Sequence, residues 1–156
     1  MIRKGFKLLL ILLWMILIFF FSMDTGVESS KKSSSFVVRA SEFLIGRELS
    51  DLEKDNIVLK WETPFRKAAH FFLYFCLEIF VLWYLMEYHP ITKRDLFFSL
   101  LFVFFYACSD EIHQLFIPER SGEILDVLID TLGGLLSGSI FTYMRRKKNE
   151  QKKAIS

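Results

Sequence analysis

The stretch LLLILLWMILIFFF, residues 8–21, decides the fold class because it contains no charged residue and no glycine. It follows three bases, Arg3, Lys4 and Lys7, and a basic start before an apolar block is also typical of a signal peptide. The next residues, SMDT at 22–25, contain no Ala-x-Ala cleavage site, and the apolar block is long for a signal peptide. We therefore predict an uncleaved membrane anchor.

The composition of the 156 residues indicates further blocks of this kind. Hydrophobic residues make up 53% of the chain, while charged residues still make up 24%. Since mean hydropathy is nevertheless +0.34, apolar and charged residues must be segregated along the sequence. This pattern argues against a soluble single domain, a disordered chain and a disulfide scaffold. The net charge of +2 offers no general attraction for nucleic acid, and we expect no nucleic-acid partner.

Three more apolar blocks complete a set of four predicted membrane spans. The spans cover about residues 6–23, 67–88, 95–116 and 124–144. The apolar part of the third is short, so its helix must continue through polar residues that face protein or water. The expected fold class is all-α, an integral membrane four-helix bundle that forms a single domain over residues 1–156.

The segment between the first two spans, residues 24–66, is expected to hold an extra amphipathic helix. Apolar residues recur at helical spacing after a run of serines that could cap a helix, and Gly46 stands where a C-terminal cap would. The recurring residues are Phe36, Val37, Ala40, Phe43 and Leu44. We place this helix at the membrane interface or against the bundle. The charged segment 49–60 is weakly patterned, and Pro64 is expected to end it.

The distribution of basic residues predicts the orientation of the spans. Eleven bases fall in segments 3–7, 93–94 and 145–153, whereas the short loop after the third span has one, Arg120. Short loops rich in Lys and Arg stay in the cytoplasm. We therefore expect both termini to be cytoplasmic, the basic tail 145–156 to be cytoplasmic, and the long loop 24–66 to lie outside.

Most intramembrane polar residues fall at the predicted outer ends of the second, third and fourth spans, and they form the candidate site. An acidic residue at the centre of a span costs on the order of 2.5–3.5 kcal/mol on insertion scales, so it indicates a partner or a function. Ion pairs that only lock helices together remain an open alternative. The candidate ligand-binding residues are Lys67, His70, Tyr74, Asp110, Glu111, His113, Gln114, Arg120, Asp126 and Asp130.

Other chemistry-bearing residues indicate no metal site and no cofactor. Neither His70 nor His113 has a partner at the H-E-x-x-H spacing of zinc sites. Cys76 and Cys108 lie in apolar runs without C-x-x-C spacing, which favours buried apolar cysteines. Glu78, inside the second span, has no evident partner.

Small residues on the fourth span predict close helix packing. Gly134 and Gly138 are four residues apart and continue the stripe of Asp126 and Asp130. Such a stripe lets a neighbouring helix approach, and we assign packing roles to Gly133, Gly134 and Gly138.

Several segments of the chain carry a recognisable combination of motifs. They are FFFS at 19–22, RKAAHF at 66–71 with Tyr74, SDEIHQ at 109–114 with Pro118, Arg120 and Gly122, and DVLIDTLGG at 126–134. In order and spacing, over residues 10–141, they resemble the VanZ-like family of small membrane proteins. One departure is Glu119, where the family often has the glycine of Pro-Gly-Arg, a residue that adopts positive φ cheaply.

The resemblance implies a multi-spanning protein of the bacterial cytoplasmic membrane. The family is named for a member linked to low-level resistance to teicoplanin and related glycopeptides, but it implies no settled biochemical activity. The natural ligand, any catalytic residue and the oligomeric state stay open.

Two functional hypotheses follow, and a small transporter or assembly factor that needs a partner stays open as a third. In the first, a non-enzymatic protein binds membrane lipid, or a lipid-linked or glycopeptide-type ligand, at the outer leaflet and so contributes to tolerance of teicoplanin-type drugs. Arg120 and Lys67 would contact a phosphate or carboxylate, while Asp126 and Asp130 would hold these bases in register.

The second hypothesis is a membrane-embedded enzyme acting on a lipid-linked substrate. His70 or His113 would be the general base, and Asp110, Glu111 or Asp130 its orienting acid. No nucleophile motif or metal-ligand spacing selects one reaction.

Overall fold

The structure is a computed structural model that describes residues 2–155, without the side chains at positions 2, 146, 149 and 152–155. Basic side chains of the tail at 146, 152 and 153, and residues 1 and 156, therefore lie outside the description. The described residues form five helices and no strand: α1 (Ile2–Ser22), α2 (Gly26–Ile45), α3 (Asp51–Leu85), α4 (Lys93–Gln114) and α5 (Ile124–Ile155). The predicted all-α class is confirmed.

Four of the described helices, α1, α3, α4 and α5, are long and apolar enough to cross a membrane. They contain the four predicted spans apart from small differences at the ends: α1 stops at Ser22, α3 at Leu85 and α4 at Gln114. The chain is therefore a membrane protein with four candidate spans.

The extra helix in the first loop is confirmed as α2, but it is longer than expected. It begins at Thr25, whose side chain accepts a hydrogen bond from the backbone of Glu28, while the Glu28 carboxylate reaches back to the Thr25 backbone. This capping box starts the helix well before the serines at 33–35, which lie inside it. The expected C-cap is present, since Gly46 has φ 78°.

The expectation that Pro64 ends the segment before the second span is wrong. Helix α3 is 35 residues long and continues through Pro64. Its length is about 52 Å. Proline removes one backbone donor, and the helix around it packs against α2. The rings of Phe36 and Phe65 stack with centroids 4.5 Å apart, and Lys54 lies 3.7 Å from Glu42. Much of the predicted loop 24–66 is thus a helical hairpin.

Helix α5 packs closely on α3 because glycine leaves room for the α3 backbone. A Cβ at Gly133 would lie 2.3 Å from the carbonyl oxygen of Phe71, and one at Gly134 would lie 3.1 Å from the Val103 side chain. Asp130 and Asp126 stand about one and two turns before Gly133, so the same approach brings both acids towards α3.

Glu78, which the sequence leaves without a partner, links α3 to α4. It is 1% exposed, and its Oε1 accepts a 2.6 Å hydrogen bond from the Ser99 hydroxyl. Gly138 lies opposite, where a Cβ would be 3.4 Å from the same oxygen. Polar groups that bond across helices in this way act as glue within a membrane bundle.

The N-terminal end of α1 is fastened to the C-terminal end of α3. Lys7 forms an ion pair with Glu87 and donates a 3.0 Å hydrogen bond to the Trp83 carbonyl. Lys4 lies 3.9 Å from the centroid of the Tyr88 ring. This end of the bundle lies opposite the candidate site.

Candidate functional site

A polar cavity of about 70 Å³ lies between the start of α2, the middle of α3, the C-terminal end of α4, the loop that follows it and the start of α5. Seven candidate residues line it: Lys67, His70, Glu111, Gln114, Arg120, Asp126 and Asp130. The other three, Tyr74, Asp110 and His113, do not. The cavity therefore collects candidate residues that are up to 63 positions apart in the sequence.

Lys67 ties α3 to the beginning of α5. Its ammonium forms an ion pair with Asp126 and lies 3.1 Å from a carboxylate oxygen of Glu123. The hydrogen bond from Lys67 lowers the pKa of Glu123. The positive charge of Lys67 in the cavity lining is therefore already balanced by these two carboxylates.

Arg120 is held mainly by uncharged acceptors. Its guanidinium donates hydrogen bonds to the Gln114 side chain at 2.9 Å, to the Asp24 carbonyl at 2.9 Å and to the Phe21 carbonyl at 3.3 Å. Among the described side chains, no carboxylate lies within 4.0 Å of it. Burial lowers the pKa of Arg120, and the charge of nearby Arg66 lowers it further.

The expected pairing of two acids with two bases is thus met only in part. Asp126 holds Lys67, but neither Asp126 nor Asp130 holds Arg120. The carbonyl groups left free at the end of α1 replace the acids, because the last turn of a helix has unpaired carbonyls that attract a cation.

Gln114 connects the acids of α4 to Arg120. Its amide nitrogen lies 3.1 Å from carboxylate oxygens of both Asp110 and Glu111, and its amide oxygen accepts from Arg120. The second carboxylate oxygen of Glu111 accepts a 2.9 Å bond from the Glu123 backbone. This network fixes the end of α4 relative to the start of α5.

Asp110 and Tyr74 are buried next to the cavity without lining it. The Ser22 hydroxyl donates a 2.7 Å hydrogen bond to one oxygen of Asp110. The other oxygen of Asp110 and the Tyr74 hydroxyl have no hydrogen-bond partner, and Tyr74 is 0% exposed. These residues connect α1, α3 and α4 below the cavity.

The two candidate histidines have different surroundings. His113 stacks on Phe19 of α1 with centroids 4.5 Å apart and points its ring away from the cavity lining. His70 lines the cavity, and its Nδ1 lies 4.0 Å from Oδ2 of Asp130. Of the two, only His70 is positioned next to a carboxylate within the cavity.

Asp130 is the deepest carboxylate of the cavity lining. It is 0% exposed, and neither of its oxygens has a hydrogen-bond partner. Buried polar groups are nearly always hydrogen-bonded, and an unpaired charge in a low dielectric is costly. Asp130 therefore stands out as an unsatisfied group.

The start of α2 positions the loop that carries Arg120. The Gly26 backbone donates a 3.1 Å hydrogen bond to the Pro118 carbonyl, and the Val27 backbone donates a 3.3 Å bond to the Glu119 carboxylate. A Cβ at Gly26 would lie 2.1 Å from the Glu119 carbonyl oxygen. Glu119 itself has φ 62°, a left-handed conformation that glycine adopts without strain.

Several cavity residues were not among the sequence-based candidates: Gly26, Arg66, Glu119, Ser121 and Glu123. Arg66 stands in the family motif RKAAHF, and Glu123 lies three residues before Asp126, so both had a signal in the sequence. The role of Gly26 had none, because it depends on the close approach of the distant 118–120 loop.

An apolar groove of about 400 Å³ borders the polar cavity. Aromatic and aliphatic side chains from α1, α2 and α3 form most of its wall, including Phe21, Phe36, Phe65, Phe72 and Leu73. Arg66 and His70 line both the groove and the cavity. The two spaces are therefore adjacent and share a polar boundary.

No metal-binding arrangement occurs among the described side chains, where no three His, Cys, Asp or Glu residues converge as ligands. The chemistry available in the cavity consists of ion pairing, hydrogen bonding and the His70–Asp130 pair.

Comparison with curated proteins and with solved structures finds no match. A family model described as VanZ/LLP1 matches residues 6–145. The matched range contains every residue that lines the polar cavity and the apolar groove. It also confirms the family resemblance of the four motif segments. On this match over most of its length, the chain belongs to the VanZ/LLP1 family.

Proposed function

We propose that the protein binds the headgroup of a membrane amphiphile in the polar cavity, through an anionic group of that headgroup. One observation carries the proposal: Arg120 lines the cavity as a partly buried cation, yet no described carboxylate lies within 4.0 Å of it. Its three hydrogen bonds use three of the five guanidinium N–H donors. Two donors remain for a phosphate or carboxylate, the anions that guanidinium groups bind best.

The apolar groove supports an amphiphile over a water-soluble anion. Its wall of aromatic and aliphatic side chains suits an acyl or isoprenoid chain. Because Arg66 and His70 border both spaces, a headgroup in the cavity would be continuous with a chain in the groove. A lipid or lipid-linked envelope component has both parts.

The proposed location is the bacterial cytoplasmic membrane, with both termini in the cytoplasm. The excess of bases in segments 3–7, 93–94 and 145–153 supports this orientation. The polar cavity would then open to the outer leaflet. There a bound amphiphile could change the access of teicoplanin-type glycopeptides to the envelope, the role that membership of the family suggests.

Lipid binding can be tested directly on the purified full chain. We expect native mass spectrometry to detect bound phosphatidylglycerol, with a loss of binding of about tenfold, or 1.4 kcal/mol, in Arg120→Ala and a smaller loss in Arg120→Lys. Arg94→Ala is the matched control, since it removes the same charge from a residue over the Phe98 ring, away from the cavity. Equal binding by Arg120→Ala and the wild type would overturn the proposal.

The contribution to tolerance needs a separate test. A sensitive host that expresses the chain should show reduced susceptibility to teicoplanin, and Arg120→Ala and Asp126→Asn should abolish this effect while Arg94→Ala retains it. Membrane levels of each variant must be compared. An unchanged susceptibility at good expression would separate this chain from glycopeptide tolerance.

An enzymatic role is the second candidate, and the distance of 4.0 Å between His70 Nδ1 and Asp130 Oδ2 favours it. A carboxylate beside an imidazole can orient it as a general base. Incubation with a lipid-linked substrate would then give a product with the wild type and none with His70→Gln. Binding without product formation in both proteins would exclude this role for His70.

A further inference from the structure

Two side chains that line the polar cavity, Arg120 and Asp130, lack a close partner of fixed opposite charge. Arg120 has no carboxylate within 4.0 Å among the described residues, whereas Asp130 has no hydrogen bond and no lysine or arginine partner, only the His70 imidazole at 4.0 Å. Other acids that line the cavity do have partners. Asp126 forms an ion pair with Lys67, and Glu111 accepts hydrogen bonds from the Gln114 amide and from the Glu123 backbone. The two unpaired groups therefore define two subsites.

The subsites lie at different depths. Arg120 belongs to the loop before α5 and is bonded to the end of α1. Asp130 lies one helical turn beyond Asp126, or about 6 Å further along α5 at 1.5 Å per residue. A ligand that satisfies both must carry an anionic group at the rim and a cationic or donating group several ångströms deeper.

We propose that the ligand's headgroup is a zwitterion, with a phosphate or carboxylate at Arg120 and a primary ammonium at Asp130. The inference rests on the proposed function and specifies its ligand class. An ammonium supplies three N–H donors, enough for both unpartnered oxygens of Asp130. A zwitterion also compensates Asp130 and Arg120 together, which a simple anion does not.

The size of the cavity selects the kind of cationic group. The volume of about 70 Å³ suits a compact ammonium better than a trimethylated one. A quaternary ammonium also has no N–H and leaves the buried oxygens of Asp130 without hydrogen bonds. The expected headgroup therefore resembles phosphoethanolamine and differs from phosphocholine and from phosphoglycerol.

Three lipids with identical acyl chains test the inference on the purified full chain. We expect phosphatidylethanolamine to compete for the site at least about tenfold better than phosphatidylglycerol, and phosphatidylcholine to bind most weakly. Asp130→Asn keeps the shape of the side chain but removes its charge. It should abolish the preference for ethanolamine, and Asp55→Asn, on the first half of α3, serves as the control.

The outcomes separate this inference from the proposed function. If phosphatidylglycerol binds as well as phosphatidylethanolamine and binding still depends on Arg120, the proposal of a zwitterionic headgroup is overturned, while the anion site at Arg120 stands. Binding of none of the three lipids would overturn both. A preference for ethanolamine that persists in a folded Asp130→Asn, as judged by an unchanged thermal unfolding temperature, would overturn the assignment of the ammonium to Asp130.

Discussion

Gly133 on α5 lies against the backbone of Phe71 on α3, so that a Cβ at position 133 would be 2.3 Å from the Phe71 carbonyl oxygen. His70 precedes Phe71, and Asp130 lies three residues before Gly133. The contact between the helix backbones is therefore next to the pair of side chains that forms the floor of the polar cavity. The approach of α5 to α3 thus controls both the packing of the bundle and the geometry of the site.

Alanine substitutions at three glycines of α5 should destabilise the protein to different extents. Gly133→Ala meets backbone at 2.3 Å, Gly134→Ala meets the Val103 side chain at 3.1 Å, and Gly138→Ala meets Glu78 at an ordinary 3.4 Å. We expect a loss of about 3 kcal/mol or more at position 133, about 1 kcal/mol at 134 and little at 138. Thermal unfolding in detergent checks this order, and equal effects at 133 and 138 would contradict the close approach.

The loop before α5 offers a test of backbone strain at Glu119. Glu119→Ala keeps a side chain at φ 62° and loses the bond to the Val27 backbone. Glu119→Gly loses the same bond but relieves strain of about 1–2 kcal/mol. We expect the alanine variant to unfold at a lower temperature than the glycine variant. A glycine variant that is the less stable of the two would show that position 119 carries no strain.

Much of this fold could be predicted from the sequence because membrane spans leave a strong signal. Long apolar blocks and the Gly46 cap led to the four long apolar helices and to the extra helix. Two features were missed for different reasons. The continuation of α3 through Pro64 goes with packing between α2 and α3, such as the Phe36–Phe65 stack, which periodicity within one segment does not reveal. The early start of α2 depends on the capping box of Thr25 and Glu28, a local T-x-x-E signal that the sequence does contain.

The sequence indicated which residue types make up the candidate site, but not which groups each of these residues contacts. Helical spacing correctly brought Lys67, His70, Asp126 and Asp130 to one cavity. It also suggested that His113 shares their surroundings, yet His113 stacks on Phe19. Spacing along one helix gives a face but not the neighbouring helix that covers it. The carbonyl groups that bind Arg120 could not be predicted for the same reason, since the sequence does not show which backbone atoms a distant side chain contacts.

The hydrogen bond between Ser99 and Glu78 should matter more than the charge of Glu78. Ser99→Ala leaves the buried Oε1 without its donor and should cost about 1–3 kcal/mol. Glu78→Gln retains an acceptor for Ser99 and should cost less. Thermal unfolding of both variants in detergent distinguishes them, with Ser109→Ala as the control, because the hydroxyl of Ser109 bonds only within its own helix. A Ser99→Ala variant as stable as the control would contradict this role.

The ion pair between Lys67 and Asp126 should be measurable as a coupling between α3 and α5. Lys67→Met and Asp126→Asn each leave one charge without its main partner, and the double variant removes both. Since both side chains are about one-quarter exposed, we expect a coupling energy of about 1 kcal/mol, above the usual value for exposed pairs. Unfolding temperatures of the four proteins give this energy. Strictly additive losses would mean that the pair adds nothing to the bundle.

The contact of Lys67 with Glu123 predicts a pH dependence of stability. Because the hydrogen bond from Lys67 lowers the pKa of Glu123 in the folded protein below its ordinary value of 4.5, the folded state favours the ionised carboxylate. This contribution is complete above the pKa of the unfolded chain and is lost as the pH falls through the lower pKa of the folded state. Because Glu123 is nearly half exposed, this contribution to the free energy of unfolding should be only about 0.2–1 kcal/mol. The unfolding temperatures of Glu123→Gln and the wild type should therefore differ at pH 7 and converge as the pH falls through the lowered pKa of folded Glu123, while the exposed control Glu48→Gln should match the wild type throughout. A difference that grows on acidification would show that the carboxylate does not stabilise the loop through Lys67.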